Sequence, residues 1–564
     1  MPYLVGLSSI KWARRYLVDV AVATAIGALM PFFLVGYGLA FNYLSSYVMN
    51  HLHPLPAIAS SATLLILSYL MIRLSTFSSG GVLEVFLETY HFRGGYARVK
   101  DLALLLIATL ATVCAGGSVG VAGVAVLTGY VIARKLADYI KYVRSRRFFP
   151  IVGAAAGISA VFKAPLTAMA FSLEIPFKHG VEAAYLLPAL ASSVTAFVVS
   201  KAVFGGKEIL LFIRPTSPLT PAVALHSAVI GVLAAGLTYL AYYVKLWLKG
   251  ASLRLTNEFS ELGGFVKPLI AASAVAITYY LITPYATGAG AYVIPKILHI
   301  KSANLLTGLT LSKLLLMVVV LEMGGAGGVF VPLLVAGAAL GAAYGRALGL
   351  PYVDLLMMAG IAGLFSSANK VLLTSVLLAA EAGGLVATIP AGIATAIAYS
   401  LTALTSIHTQ QPAVGHGRFR ARASRLLLTI CPKGIEGLKS LTVSDYVEDV
   451  CITEPSTYVV DALRNCGGFR YLVCRLGSGE YGYVRVATLT EYLRITDLRV
   501  GDVVDRAPTV SEGESLSNVV EELVYGGSEV AVVLRRDSSV AGVVSIEGIE
   551  EVIREVVTRE CLGR

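Results

Sequence analysis

The stretch Gly324-Gly325-Ala326-Gly327-Gly328-Val329-Phe330-Val331-Pro332 interrupts an apolar, membrane-length segment with a run of glycines. Two other stretches do the same, Ser78-Ser79-Gly80-Gly81-Val82 and Gly116-Gly117-Ser118-Val119-Gly120. A broken helix inside a bilayer is tolerated only where its freed backbone groups are buried in protein or line a hydrated cavity. The three interruptions therefore predict a transporter or channel with its ion site at the breaks.

The composition is that of an integral membrane protein. Hydrophobic residues make up 56% of the 564 residues and charged residues only 14%, which argues against a soluble enzyme. The net charge of +10 is read as a membrane-anchoring and topology signal, so the expected surroundings are a lipid bilayer, and no nucleic-acid partner is expected.

Apolar segments follow one another to about residue 410, and short β-rich runs with charged, amphipathic helices make up the rest. The predicted organisation is a cytoplasmic N-terminal segment (1–16), a membrane domain (17–410, with halves at about 17–206 and 219–410), a linker (411–435) and two tail motifs (436–497 and 498–564).

The flanking charges predict the orientation. Lys11, Arg14 and Arg15 precede the first apolar segment and favour a cytoplasmic N-terminus. We therefore expect a multi-pass protein of the cell membrane with both termini in the cytoplasm. The six cysteines lack metal-site spacing and are interpreted as small apolar fillers in a reducing compartment, with no metal site: Cys114, Cys431, Cys451, Cys466, Cys474 and Cys561.

The two halves of the membrane domain share a pattern: an Ala-Gly-Ile triplet, then a Phe, then a Glu. These residues are Ala156-Gly157-Ile158, Phe162 and Glu174 in the first half, and Ala359-Gly360-Ile361, Phe365 and Glu381 in the second. Internal repeats with matching breaks are typical of transporters whose binding site lies between the halves. Chance similarity between Ala/Gly-rich helices is the alternative.

Helix breaks of this kind favour an anion. A half-helix that begins in mid-membrane points unpaired N–H groups and about half a positive charge at whatever precedes its first turn. A cation pathway would need several embedded carboxylates facing one cavity. Close helix packing is the alternative role of each glycine cluster. The acidic residues within the apolar stretches are few: Glu84, Glu88, Glu174, Glu322 and Glu381.

With these motifs the chain resembles the CLC chloride channel and transporter family over nearly its whole length. Residues 116–123 resemble the family's GGSxGxEGP loop, 328–332 its GxFxP loop, 79–84 its GSGxPE loop, and 156–174 its AGxxxxFxAPLxGxxFxxE segment. The resemblance implies an all-α membrane fold of two inverted halves with broken helices, and a homodimer with one anion pathway in each subunit.

The resemblance also implies the anion-binding residues. Backbone amides at the starts of the interrupted helices would supply most of the contacts, with a side chain near the end of the last membrane helix. The implied residues are Ser79, Gly80, Gly81, Val82, Gly120, Val121, Ala122, Gly123, Val124, Gly328, Val329, Phe330, Val331 and His408.

Two departures from the family pattern decide the expected mechanism. The family's gating and proton-carrying glutamate of the GxEGP loop corresponds to Ala122, and the exchangers' inner proton-transfer glutamate corresponds to Ile175. A methyl group neither occludes an amide-lined site nor titrates, and an isoleucine cannot relay protons. Uncoupled, passive conduction of chloride-type anions is therefore expected.

The hydroxyl groups that flank the family's central anion are also altered. The loop serine corresponds to Gly80, with Ser79 or Ser78 as the alternative donor, and the tyrosine corresponds to His408. His408 is expected either to donate an N–H to the anion or to bond backbone or water at the membrane edge. Val124 and Leu83 stand where the family has prolines. Proline normally fixes such helix starts, so its loss is expected to loosen them while leaving the amides in place.

The tail resembles a tandem CBS pair. Each unit spans about 60 residues, and the second contains Ala507-Pro508-Thr509-Val510 and Gly542-Val543-Val544-Ser545 in the places typical of the motif. Such pairs often bind an adenine nucleotide, for which Thr509, Val510, Ser545 and Glu547 are the candidate contacts, although the usual ribose-binding acid corresponds to Gly548. Dimerisation and stability are the alternative roles.

An enzyme is not expected, because no catalytic triad, metal cluster or phosphate loop is evident. The predicted function is passive anion conduction, modulated by the tail and without a cofactor in the membrane domain. A proton-coupled or other-anion transporter of the same family, or a non-conducting membrane sensor, is the alternative.

Overall fold

A computed structural model gives the fold. The residues it describes are 2–51, 54–77, 79–91, 98–140, 148–205, 213–258, 260–403, 405–412, 432–477, 479–492, 498–526 and 528–561. Ser78, Cys431, most of the predicted linker and residues 141–147, with the basic residues Lys141, Arg144, Arg146 and Arg147, lie outside these residues. The chain forms two compact units, one chiefly helical and made of most of residues 1–414, the other made chiefly of residues 415–564.

The first unit contains sixteen α-helices in the residues described. They are α1 Pro2–His51, α2 Pro54–Leu74, α3 Val82–His91, α4 Val99–Cys114, α5 Ala122–Ile140, α6 Phe148–Phe162, α7 Pro165–Glu174, α8 Leu186–Phe204, α9 Pro221–Glu258, α10 Ser260–Ile277, α11 Val293–Ile297, α12 Ala303–Glu322, α13 Phe330–Ala347, α14 Val353–Asn369, α15 Leu372–Gly383 and α16 Leu385–Leu401. Helix α1 is continuous from Pro2, and its membrane-length apolar stretch begins at Tyr16.

Within the part of the chain described, six helical stretches are long and apolar enough to cross a membrane. They are Tyr16–Phe41, Ala183–Phe204, Pro221–Ser252, Gly264–Ile282, Ala303–Glu322 and Phe330–Ala347. Helices α6, α14, α15 and α16 are apolar but shorter, as expected for half-helices that end inside the bilayer.

The apolar segments 150–174 and 352–381 both divide into two helices. The first breaks at Lys163 and the second at Lys370, and both lysines have left-handed backbone angles (φ 56° and 61°). A non-glycine residue in this region is uncommon, so the same turn occurs at corresponding places in the two halves.

Two helix pairs pack with their backbones nearly in contact. A Cβ on Gly129 of α5 would lie 2.0 Å from the carbonyl oxygen of Gly153 on α6, and one on Gly360 of α14 would lie 2.1 Å from the carbonyl oxygen of Gly337 on α13. Small residues permit such close approach in membrane bundles. The same glycine contact thus recurs in both halves.

Two carboxylates each hold the start of a helix from the other half. Glu174, the last residue of α7, accepts bonds from the amides of Leu373 and Thr374 at 2.8 Å each, in the first turn of α15. Glu381, near the end of α15, accepts bonds from the amides of Leu166 and Thr167 at 2.8 Å each, in the first turn of α7. Each carboxylate therefore stabilises the start of a helix in the other half.

The tail unit is a repeated βαββα pattern. Its elements are α17 Pro432–Ser440, β1 Val450–Thr453, α18 Val459–Cys466, β2 Tyr471–Gly477, β3 Glu480–Arg485, α19 Val486–Leu489, α20 Val500–Val503, β4 Asp505–Ala507, β5 Thr509–Ser511, α21 Leu516–Gly526, β6 Val530–Leu534, β7 Val540–Ser545 and α22 Ile546–Val556.

The two tail sheets share one topology. In each, the first strand lies parallel to the second and the second antiparallel to the third, giving the orders β1-β2-β3-β4 and β5-β6-β7. Successive side chains of a strand point to opposite faces of the sheet, so alternate residues face different cores. Tyr471 and Val473 pack with Val530 and Val532 between the sheets, while Leu472 faces the core of its own repeat.

The leading segment of each tail repeat packs on the other repeat. Leu438 and Val443 belong to the core of the second repeat, and Leu498 and Val500 belong to that of the first. The two repeats therefore form a single interlocked pair.

One cysteine interpretation is wrong. Cys451 on β1 and Cys466 at the end of α18 form a disulfide, with their Cα atoms 5.6 Å apart. They are not apolar fillers, and this pair gives no support to a reducing compartment. Cys114 and Cys474 are buried, as expected of small apolar fillers.

The glycine contact between α13 and α14 gives a stability prediction. We expect Gly360→Ala to lower the free energy of unfolding by about 1–3 kcal/mol, because its Cβ would overlap the Gly337 carbonyl and force the helices apart. The measurement is the thermal unfolding midpoint of purified protein in detergent.

The matched control is Gly392→Ala on α16, where a Cβ would meet nothing within 4 Å. This variant should unfold at or slightly above the wild-type temperature. Equal midpoints for the two variants would refute the packing argument.

Candidate anion site

The three glycine-rich loops are paired with one another through main-chain hydrogen bonds. The amide of Val82 donates to the Gly327 carbonyl at 3.1 Å, and the Gly327 amide donates to the Gly80 carbonyl at 3.0 Å. Gly120 and Gly328 exchange two bonds of 2.8 and 2.9 Å. The interruptions predicted from separate parts of the sequence thus meet at one place.

Glycine is required at this junction. A Cβ on Gly80 would lie 2.0 Å from the carbonyl oxygen of Gly325, and Gly327 (φ 152°) would place one 2.5 Å from the Cβ of Val119. A side chain at either position would separate the loops. The glycine clusters therefore serve close packing, and that packing builds the junction.

Three helices begin at the junction: α3 at Val82, α5 at Ala122 and α13 at Phe330. The first turn-closing amides in α5 and α13 are those of Ala125 and Leu333. The amides before them have no acceptor in their own helix, which is the usual state of a first turn. Three helix N-termini therefore converge here, as an anion site requires.

The predicted amide donors fall into two groups. The amides of Val82, Gly120 and Gly328 are bonded to the neighbouring loops, and that of Gly81 is bonded to the Ser79 hydroxyl at 3.1 Å. These groups fix the loops. The amides left for an anion are those in the first turns of α5 and α13: Ala122, Gly123, Val124, Phe330 and Val331.

A small cavity, which we call the alanine cavity, lies at these helix starts. Ala122 is only 2% exposed and lines it. The cavity is lined by Leu83, Ala122, Gly123, Val126, Phe171, Gly328, Val329, Phe330 and Asn369. The position where the resemblance places the gating carboxylate thus carries a methyl group beside free first-turn amides.

Aromatic side chains hold the start of α13. The ring of Phe330 lies 5.0 Å from that of Phe162, 5.7 Å from that of Phe171 and 4.5 Å from that of Phe365, measured between centroids. Phe162 and Phe365 are the phenylalanines of the repeated pattern. Aromatic side chains from both halves of the fold therefore pack against Phe330.

A second cavity, the histidine cavity, adjoins the first, because Leu83 and Val329 line both. Its free volume is about 20 Å³, which is enough for a water molecule or a small ion. It is lined by Ser79, Gly81, Leu83, Glu84, Lys245, Leu321, Glu322, Gly327, Val329, Ile407 and His408.

A buried ion network that the sequence did not predict lines this cavity. The ammonium group of Lys245 on α9 pairs with the carboxylate of Glu84, lies 3.6 Å from a carboxylate oxygen of Glu322 and donates to the Ile407 carbonyl at 2.7 Å. Glu84 and Lys245 are 7% and 8% exposed. Glu84 thus lies in the first turn of α3, and its carboxylate is held by an ion pair with Lys245.

Ser79 and His408, at or next to the positions where the family has its two hydroxyl groups, both have hydrogen-bond partners within the chain. The Ser79 hydroxyl donates to Glu84 at 2.9 Å, and Nε2 of His408 lies 2.8 Å from Oδ1 of Asn369. His408 is 1% exposed, so it lies inside the protein rather than at a wet membrane edge. Ile175 is fully buried at the end of α7 and is not among the residues lining either cavity.

The candidate tail residues lie on the second sheet. Thr509 and Val510 are on β5, and Ser545 ends β7, on the other side of β6. The Ser545 hydroxyl donates to the Glu448 carboxylate, and Glu547 pairs with Arg470 and Arg485.

A buried tyrosine lies close to this ionic cluster. Tyr483 accepts a bond from the Glu529 amide at 3.2 Å, and burial, together with Asp505 and Glu529, raises the pKa of Tyr483 well above its usual value. The phenol therefore stays neutral, and the charges in this cluster are those of the arginines and carboxylates.

Comparison with known proteins places these features in context. The family model described as voltage gated chloride channel matches residues 62–403. A chloride/fluoride channel protein of Pseudomonas syringae pv. tomato is 30% identical over 328 residues, covering 57% of this chain and 70% of the relative. A voltage-gated ClC-type chloride channel ClcB of Escherichia coli is 28% identical over 298 residues, covering 51% of this chain and 67% of the relative.

Solved structures share the fold. A CLC-type fluoride/proton antiporter matches with a TM-score of 0.60 at 24% identity, covering 72% of this chain and 98% of its own. A eukaryotic CLC transporter matches with a TM-score of 0.59 at 17% identity, covering 95% of this chain and 98% of its own. At these identities the likeness speaks for the fold alone.

The Lys245 network gives the second prediction. We expect Lys245→Met to cost about 3–5 kcal/mol of unfolding free energy, because it leaves the Glu84 carboxylate buried without its cation. Adding Glu84→Gln should recover most of that loss. Unfolding midpoints of the two single variants and the double variant in detergent make up the double-mutant cycle.

Lys249→Met is the matched control, since Lys249 lies one turn further along α9 and is exposed. Its midpoint should stay close to that of the wild type. A double variant no more stable than Lys245→Met would contradict the ion-pair interpretation.

Proposed function

The chain belongs to the voltage gated chloride channel family, and from this premise we propose that it conducts chloride-type anions passively across the membrane. Membership makes it a multi-pass membrane protein of the channel and transporter class, with the CLC-type helical fold. The finer assignment, conduction without proton coupling, depends on this chain's own residues.

The observation that carries the proposal is Ala122 in the alanine cavity. Its methyl group lies at the first turn of α5, beside the first turn of α13. Proton-coupled exchange needs a titratable group that enters the anion path, and the residues lining this cavity are apolar except for Asn369. With Ile175 at the second glutamate position, an anion crosses without a proton carrier.

The charges along the path favour passage over trapping. The anion is held by first-turn amides and helix dipoles, whose partial charges attract it without a full positive side chain. Lys245 lines the histidine cavity, but its charge is taken up by Glu84 and Glu322. At the first-turn amides of the alanine cavity the attraction is therefore dipolar, and this suits rapid release.

Fluoride is the second candidate substrate. The Pseudomonas syringae relative is named a chloride/fluoride channel protein, and one solved structure of this fold is a fluoride/proton antiporter. The small volume of both cavities suits a small anion. Fluoride should therefore be tested as well as chloride in each transport measurement.

The proposal includes two inverted halves. Support comes from the left-handed lysines at corresponding breaks, the two glycine contacts, and the reciprocal capping by Glu174 and Glu381. A two-fold relation between the halves would produce each of these pairs. The family resemblance also suggests a homodimer, with one pathway in each subunit.

The tail is proposed to be a cytoplasmic CBS pair that modulates conduction. Its two interlocked βαββα repeats support the assignment as a CBS pair. The N-terminus is proposed to be cytoplasmic as well, because Lys11, Arg14 and Arg15 precede the first apolar segment. An adenine nucleotide is the candidate ligand at Thr509, Val510, Ser545 and Glu547. It would have to compete with Arg470 and Arg485 for Glu547.

Flux in reconstituted vesicles tests the proposed function. With an outward chloride gradient and a lumenal pH indicator, we expect chloride efflux at a rate above that of protein-free vesicles and no uphill movement of protons. A parallel fluoride gradient decides between the substrates. Proton movement against its own gradient, driven by either anion, would refute passive conduction.

Restoring the carboxylate gives a further prediction. We expect Ala122→Glu to reduce anion flux at neutral pH, since an ionised carboxylate competes for the first-turn amides, and to regain flux on acidification as the carboxylate is neutralised. Ala122→Gln is the control, because it adds similar bulk without a titratable group. Identical pH profiles for the two variants would argue against an anion site at Ala122.

A further inference from the structure

The His408–Asn369 contact fixes which nitrogen of the imidazole carries the proton. The side-chain amide of Asn369 donates through Nδ2 to the Phe365 carbonyl at 3.0 Å. A carbonyl can only accept, so Oδ1 of Asn369 must face His408. Its partner, Nε2 of His408 at 2.8 Å, is therefore the protonated nitrogen.

The other nitrogen, Nδ1, therefore carries a lone pair. Among the described residues it has no hydrogen-bond partner, although it is fully buried. An unsatisfied buried acceptor costs about 1–3 kcal/mol. Because His408 lines the histidine cavity, a donor that could satisfy Nδ1 is best supplied from that cavity.

The charged groups around the cavity come from three helices. Glu84 on α3 and Glu322 at the end of α12 provide two carboxylates, and Lys245 on α9 provides one ammonium group. With all three ionised, this network has one excess negative charge. Together with the Nδ1 lone pair, it opposes the entry of an anion alone.

A proton alone is also disfavoured. Burial of His408 at 1% exposure opposes an imidazolium, and like-charge repulsion from Lys245 offsets the attraction of the two carboxylates. An anion and a proton that enter together compensate each other: Nδ1–H becomes a donor to the anion, and the net charge of the cavity does not change.

We propose that the histidine cavity binds an anion and a proton together, with the proton on Nδ1 of His408. This inference rests on the proposed function, since it concerns regulation of the same anion path. The proton comes from water or buffer, an N–H bond forms at Nδ1, and the anion accepts a hydrogen bond from it. Release of the anion returns the proton.

Linked binding at this one site does not make the protein an exchanger. Moving a proton across the membrane needs a second titratable group further along the path, and Ala122 occupies that place in the alanine cavity. Conduction should therefore depend on pH without doing work on protons. Linkage requires the apparent anion affinity to rise as pH falls, by at most about tenfold per pH unit.

Calorimetric titration of the purified full chain with chloride tests the proposal. Performed in buffers that differ in ionisation enthalpy, it counts the protons taken up for each chloride bound. For the wild type near pH 7 we expect uptake approaching one proton per chloride. His408→Gln keeps a side-chain N–H for Asn369 and lacks a titrating nitrogen, so it should bind chloride more weakly than the wild type and with no proton uptake.

His299→Gln is the matched control, since His299 is exposed and outside the cavity, and it should behave as the wild type does. Glu322→Gln removes the excess negative charge and should lower proton uptake while His408 stays in place. It also serves if His408→Gln fails to fold.

The outcomes separate this inference from the proposed function. Chloride binding without proton uptake in the wild type, with affinity constant between about pH 5 and 8, overturns the inference while vesicle flux still supports conduction. Equal proton uptake by the wild type and His408→Gln overturns it as well. Neither binding nor flux in the wild type overturns both proposals.

Discussion

The pairing of three glycine-rich loops by main-chain hydrogen bonds is the constraint on which the membrane unit depends. In a bilayer an unbonded peptide group costs several kcal/mol, so a helix can stop in mid-membrane only if its loop finds partners. Gly80, Gly120, Gly327 and Gly328 supply those partners to each other. Because the loops satisfy one another, the first-turn amides of the helices that follow are left free for a ligand.

Under the proposed function, this arrangement would let the site attract an anion and still release it. The attraction comes from partial charges on peptide groups, held rigidly by the loops and by the ring of Phe330 among its neighbours. The full cation nearby, Lys245, is already paired with Glu84. A bound anion therefore meets a preorganised set of dipoles rather than a strong ion pair, which would hold it in place.

Local patterns predicted the helix breaks and a tail of short strands and amphipathic helices, because glycine runs and hydrophobic periods act over a few residues. Contacts between distant residues were not predictable in this way. Glu84 and Lys245 are 161 residues apart, and His408 and Asn369 are 39 apart. Nothing in either neighbourhood marks such a partner, and the cysteine pair 451 and 466 likewise gave no metal or disulfide spacing to recognise.

The acidic residues show why an intramembrane carboxylate is a poor sign of proton transfer by itself. Glu174 and Glu381 each bond two amides in the first turn of the other half's helix, so their charges stabilise the fold and are not exposed to the path. Glu84 neutralises Lys245. The function of each carboxylate follows from its partner. A group that accepts protons in this path is therefore better sought at a buried polar atom that has no hydrogen-bond partner. Among the residues described, Nδ1 of His408 is such an atom.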